Sequence, residues 1–186
     1  MRMSSAKFVQ AFCAVAGSAL IAAADGSFAV SDPFVWRDDA AKCYRLYELS
    51  AKSEPAGAGV MMRTSTNLVD WSGRCQVLHV PESYGCAAVW APEMHAYKGA
   101  YYIFGTICTT SFETNCVETM LPPDSEWWPA QKFLRRRLST FVFKSDRPDG
   151  PFKVWSDGPI PPREWATLDG TFFEEDGKPY MVFCHE

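Results

Sequence analysis

At 186 residues, with 47% hydrophobic and 22% charged side chains, the chain is long enough to bury a core and too apolar to be disordered throughout. Its 22 acidic residues against 18 basic ones give a net charge of −4, which argues against nucleic acid and anionic membranes as partners and leaves neutral ligands open. Aromatic residues make up 15%, seven Trp among them; strand-rich folds favour aromatics, and a few are reserved as stacking surfaces for a ligand.

The N-terminus reads as a secretory leader over residues 1–24. Arg2 and Lys7 supply the basic start, an Ala-rich apolar run extends from Phe8 to Ala24, and Ala22-Ala23-Ala24 is a small-residue cleavage site. The run is too short and too rich in Ala, Ser and Gly for a membrane span. A secreted, periplasmic or extracellular protein is expected, with no membrane association after cleavage. Of the seven cysteines, Cys13 leaves with the leader, and the six that remain permit disulfides. None has the C-x-x-C spacing of a zinc site. Cys108 and Cys116 bracket a polar loop and form the first pair to test, while Cys43 and Cys184 fall in apolar strands and fit buried free thiols as well as disulfide partners.

Residues 25–186 read as strands almost without a break. Phe34 to Trp36, Tyr44 to Leu49, Val60 to Ser65 and Cys75 to Leu78 make a four-strand meander over about residues 31–80, the plan of one propeller blade. A second copy spans about residues 90–160. Its first two strands are Met94 to Tyr97 and Tyr101 to Thr106, and Thr140 to Ser145 and Phe152 to Trp155 echo Met61 to Ser65 and Leu68 to Trp71. Residues 107–139 interrupt that copy as an insertion carrying Trp127, Trp128 and the basic run Arg135-Arg136-Arg137, of the size that often forms a binding loop. A third copy starts at about residue 168 and runs to Glu186, two strands long. The expectation is an all-β β-propeller with about two and a half blades present, in a fragment of a longer protein.

The three copies align on their first strands. Asp32-Pro33-Phe34, Ala91-Pro92-Glu93 and Asp169-Gly170-Thr171 occupy matching places, with Tyr44, Tyr102 and Tyr180 following at nearly the same distance. The first strand of each propeller blade lines the axis, and all of them run the same way, so Asp32 and Asp169 converge on one mouth with Trp90 between them. Two carboxylates across a cleft suit glycosidic-bond hydrolysis, in which one group protonates the leaving oxygen and another activates water. Glu186 and His185 return to the same side of the third copy. Trp90, Trp165 and His185 are candidates for contact with a sugar. Glu93 reads as a structural residue bonded to neighbouring backbone, and His79 and His95 as ordinary strand or loop residues. Asp38, Asp39, Glu174, Glu175 and Asp176 read as solvated turn residues at the far end.

These motifs, Asp32-Pro33-Phe34, Trp90-Ala91-Pro92-Glu93 and Leu168-Asp169-Gly170-Thr171 with Asp176-Gly177-Lys178-Pro179-Tyr180, resemble those of glycoside hydrolase family 43. The resemblance covers the chain from about Ser31 onward. It implies a five-bladed propeller that hydrolyses arabinose-, xylose- or galactose-containing polysaccharides or oligosaccharides with inversion. On that resemblance Asp32 matches the general base, and Asp169 the carboxylate that raises the pKa of the general acid. The acid itself is expected beyond Glu186, with Glu186 a weaker candidate, and the fragment alone is expected to be inactive. The third motif departs from the family by reading Asp-Gly-Thr where many members have Asp-Pro. No cofactor or metal is required; calcium on the axis occurs in some members and is open for the full-length protein. The rival readings are a non-catalytic carbohydrate-binding propeller, a structural or protein-binding propeller, and an inactive fragment.

Overall fold

Ten strands account for the fold seen in a computed structural model, which describes residues 30–86, 88–108, 138–162 and 165–185, with Cys108 described by its backbone alone. The leader, Cys116, most of the insertion with Arg135 to Arg137, and Glu186 lie outside the described residues. The strands β1 (Phe34–Asp38), β2 (Cys43–Ser50), β3 (Gly59–Ser65) and β4 (Cys75–His79) form one antiparallel sheet in chain order. A second sheet repeats the plan with β5 (Val89–Tyr97), β6 (Ala100–Cys108), β7 (Leu138–Ser145) and β8 (Lys153–Val154). The third unit is the hairpin β9 (Thr167–Glu175) and β10 (Lys178–His185).

Turn chemistry sets these hairpins. Lys98-Gly99 and Asp176-Gly177 are two-residue loops with both residues left-handed, at φ 47° and 77° and at φ 51° and 73°. This is the turn whose twist matches that of the flanking strands, and Gly in the second place removes half the steric penalty. The first hairpin is longer, Asp39 to Lys42, and its extra residues change the role of Asp38. Asp38 is not a solvated turn residue: it is 5% exposed, accepts a hydrogen bond from the Ala41 N–H at 2.9 Å and pairs with Arg45 Nε at 2.9 Å. Burial pushes its carboxyl pKa up, but the Ala41 N–H and the Arg45 guanidinium outweigh that and hold it below the ordinary value.

The main core lies between the first two sheets. Tyr47, Val60, Met62, Val77 and Leu78 of the first pack with Met94, Ile103, Phe141, Phe143 and Phe152 of the second. Two polar bonds cross that seam: Tyr47 Oη donates to the Pro148 carbonyl at 2.8 Å, and the Phe152 N–H donates to the Val77 carbonyl at 2.8 Å. An antiparallel bridge between Ala51, just past β2, and Ala88, just before β5, fixes the directions. Because β1 is antiparallel to β2, it runs the same way as β5. Across the next seam Glu93 meets Thr171 and Tyr97 meets Gly177, so β5 and β9 also run the same way. Ring contacts from Phe34 to His95 (5.3 Å) and from His95 to Phe172 (5.6 Å) link these three inner strands. On the outer face of the third hairpin, Phe173, Tyr180 and Val182 are about half exposed. Cys184 is exposed and Cys43 half-buried, both as free thiols, so neither is a buried core cysteine.

The stabilising contribution of Asp38 is present above the ordinary carboxylate pKa of about 4 and is lost as the pH falls through its lower folded value. Asp38→Asn is therefore expected to lower stability at neutral pH and to flatten the loss of stability between about pH 5 and pH 3. Urea denaturation at each pH measures this; parallel curves for parent and variant would contradict it.

Candidate active site

The start of each inner strand is irregular in the same way. Asp32, Ala91 and Asp169 all have a left-handed backbone, with φ of 45°, 41° and 51°. In the second sheet Trp90 pairs with Thr106 and Glu93 with Phe104, so Ala91 and Pro92 together face Gly105. In the third, Leu168 pairs with Cys184 and Thr171 with Val182, so Asp169 and Gly170 together face Phe183. Both are bulges at the same register, with the left-handed residue as their first member. A bulge of this kind bends the strand and re-aims the side chain it carries. Asp32 and Pro33 stand in the same relation to β1, one step before Phe34. Asp tolerates this backbone better than most residues, because its short polar side chain bonds locally; the Ser31 hydroxyl donates to Asp32 Oδ2 at 3.1 Å.

The second blade holds the Asp169 bulge from several sides. The Thr140 N–H donates to Thr167 Oγ1 at 3.2 Å, the Asp169 N–H donates to Thr106 Oγ1 at 3.0 Å, and Thr171 Oγ1 donates to Glu93 Oε2 at 2.5 Å. Thr106, Thr140 and Thr167 are buried; the Thr140–Thr167 bond is shielded from water, and the other two are partly so. Gly170 packs so closely on Thr140 that a Cβ there would run into the Thr140 methyl group. This is a physical reason for Gly at the position where the third motif departs from Asp-Pro.

The structure brings most of the sequence-predicted residues to one end of the inner strands. Asp32 and Asp169 are both exposed at the starts of β1 and β9. Trp90, half-buried, pairs with Thr106, the residue that receives the Asp169 N–H. Trp165 lies beside Phe183, the residue opposite the Asp169 bulge, with ring centroids 6.2 Å apart. The rings of Trp165 and His185 stack at 4.4 Å and 21°. Glu186 lies outside the described residues.

Glu93 bonds side chains, not neighbouring backbone: besides Thr171, its Oε2 lies 3.1 Å from His95 Nε2. His95 is more than an ordinary strand residue, since Phe34, Phe104 and Phe172 surround it, one from each blade. The sequence reading missed Thr106 and Thr140, because a Thr in a strand reads first as β propensity. Beside Ser31 a polar cleft of about 200 Å³ is lined by Glu48, Glu54, Arg63 and Arg74. Its charges are internally matched: Glu48 Oε1 takes Arg63 at 3.0 Å and Arg74 at 2.8 Å, and Arg74 also meets Glu54 at 2.6 Å. Among the described residues no cluster of three His, Cys, Asp or Glu side chains is placed to hold a metal ion.

Two meander blades and a hairpin around parallel inner strands define a partial β-propeller with carboxylates at one mouth. The chain belongs to glycosyl hydrolases family 43, whose model matches residues 26–186. Among solved structures it is similar to the endo-arabinase of Bacteroides thetaiotaomicron, at 22% identity and a TM-score of 0.63, over 87% of this chain and 47% of that one. A thermostable family-43 glycoside hydrolase matches at 25% identity and a TM-score of 0.59, over 83% of this chain and 41% of that one. An exo-β-1,3-galactanase of Phanerochaete chrysosporium, solved with galactose, matches at 14% identity and a TM-score of 0.57, over 86% of this chain and 33% of that one. The fold is that of these five-bladed propellers, and the chain spans less than half the length of each. No functionally curated protein matches the chain.

Gly170→Ala is expected to destabilise the full-length protein by about 1–3 kcal/mol through overpacking against Thr140. Thr140→Ser removes the methyl group in the way, so the double variant is expected to recover part of that loss. Thermal or urea denaturation of the three variants tests the coupling, and additive effects would contradict it.

Proposed function

We propose that the full-length protein hydrolyses O-glycosidic bonds in polysaccharides or oligosaccharides containing arabinose, xylose or galactose, by an inverting general acid/base mechanism. The observation that carries the reading is the shared left-handed start of β1 and β9, which puts exposed Asp32 and exposed Asp169 at the same end of the inner strands. Membership of the family supports the class of reaction. In this mechanism Asp32 takes a proton from the attacking water, and a carboxylic acid on the other side of the sugar protonates the leaving oxygen. Inversion needs room for that water, with acid and base about 6.5–9.5 Å apart. A second carboxylate close to the acid disfavours loss of its proton and keeps it protonated nearer neutral pH; Asp169 takes that part. The proton donor itself is assigned beyond Asp32 and Asp169, with Glu186 the weaker candidate within this sequence.

Trp90 and the stacked Trp165–His185 pair are the proposed sugar contacts. The apolar face of a pyranose or furanose ring packs on an aromatic plane, and the polar edge of His185 is available to a hydroxyl. The proposal requires no cofactor, leaves calcium on the axis open, and takes carbohydrate as the partner in place of nucleic acid or membrane. Export follows from the Ala-rich leader, with cleavage after Ala24.

Asp32→Asn in the full-length protein is expected to lower hydrolysis by at least about 100-fold with the fold intact. Trp165→Ala is expected to raise KM more than it lowers kcat. Reducing-sugar release from arabinan, xylan and galactan, with circular dichroism as the fold control, measures both. Unchanged turnover in Asp32→Asn would remove that residue from the mechanism, and glycan binding without cleavage by the parent would favour a carbohydrate-binding propeller.

A further inference from the structure

We propose that Glu93 is a positioning residue for Asp169, acting through the hydroxyl of Thr171. This deepens the hydrolase reading and rests on it. Glu93 is the first residue after the bulge of β5, and Thr171 is the first residue after the bulge of β9. Their bond therefore joins matching points of two neighbouring inner strands, one register step past Ala91 and past Asp169. It is the charged member of the set of bonds around the bulge. The other bonds, from Thr140 N–H to Thr167 Oγ1 and from Asp169 N–H to Thr106 Oγ1, join neutral groups, the first pair buried and the second partly so.

A hydroxyl donating to a carboxylate makes a short, strong bond, and the 2.5 Å between Thr171 Oγ1 and Glu93 Oε2 fits that type. His95 approaches the same oxygen at 3.1 Å and is itself packed among Phe34, Phe104 and Phe172, so the carboxylate is oriented from behind. The contacts on either side of Asp169 then differ in kind. Upstream, backbone and Thr hydroxyls hold the strand; downstream, besides the ladder to Val182, one carboxylate takes the Thr171 hydroxyl. Asp169 carries a strained left-handed backbone between these anchors, and a strained residue keeps its conformation only while its neighbours are fixed. Displacement of a reacting group by about 1 Å is worth about 100-fold in rate.

The test compares Glu93→Ala, Glu93→Gln, Thr171→Val and Asp169→Asn in the full-length protein. The substrate is whichever of a panel of arabino-, xylo- and galacto-oligosaccharides the parent cleaves fastest. Glu93→Ala and Thr171→Val are each expected to lower kcat by about 10- to 100-fold with KM within about threefold, and together no further than either alone. Both are also expected to move the alkaline limb of the pH profile to lower pH, since a displaced Asp169 supports the acid's proton less well. Glu93→Gln keeps an acceptor for Thr171 and is expected to retain most of the activity. If Asp169→Asn abolishes hydrolysis while Glu93→Ala and Thr171→Val keep the parent's kcat and alkaline limb, the positioning role is wrong and the hydrolase reading stands. If Asp169→Asn hydrolyses as fast as the parent, the role given to Asp169 fails and the positioning role fails with it. Thr171→Val is nearly isosteric and keeps the test decisive should Glu93→Ala fail to fold.

Discussion

A left-handed residue cannot join a regular ladder, and each of the three inner strands has one near its N-terminal end, Asp32 just before β1 and Ala91 and Asp169 two residues into β5 and β9. Each costs about 1–2 kcal/mol for a residue with a Cβ. What it supplies is direction: the bulge lets two residues face one, and the first of the two turns its side chain out of the pleat. Ala91 adopts the same backbone with no polar atom to help it, which indicates that the surrounding packing, and not the Asp side chain, imposes the conformation.

The two seams between blades hold this geometry in different ways. The first is largely apolar, with Tyr47, Phe141, Phe143 and Leu78 among its fully buried side chains, and such burial is strong but without direction. The second is threaded with hydrogen bonds: the Thr140 N–H donates to Thr167 Oγ1, the Asp169 N–H to Thr106 Oγ1, and the Thr171 hydroxyl to Glu93. Directional bonds fix register where apolar contact would tolerate a slide. The seam with the most directional bonds among the described residues is the one that borders Asp169, the position proposed to tune the acid. At the far end Tyr97 Oη and Lys98 Nζ both reach the Gly177 carbonyl, so the third hairpin is tied to the second blade at both ends.

Much of this was legible in the sequence because the repeat is written in residues with strong backbone preferences. Ala-Pro and Asp-Gly mark the bulges, Asp-Pro marks the matching left-handed entry to β1, and Lys98-Gly99 and Asp176-Gly177 mark the turns, so the register of three inner strands follows from aligning them. The seam was not legible. Thr106 and Thr140 look like any Thr in a strand, and their partners lie 63 and 27 residues away. Asp38 was misread for a related reason. Its charge suggests solvent, but a four-residue turn folds it inward, where the Ala41 N–H and Arg45 replace water. Glu93 was read as structural, and its contact with Thr171 across a blade boundary has no trace in local sequence. Local propensity encodes where a strand bends; it does not encode what the neighbouring blade offers to the bend.

The central claim is that the left-handed starts of β1 and β9 aim Asp32 and Asp169 at one bound sugar. A crystal structure of the full-length Asp32→Asn protein with an arabino-, xylo- or galacto-oligosaccharide tests it most directly. The account predicts positive φ at residues 32, 91 and 169, with the side chains of residues 32 and 169 both facing the sugar at the scissile bond. A sugar bound away from that mouth, or residues 32 and 169 in regular strand conformation facing neighbouring blades, would contradict it.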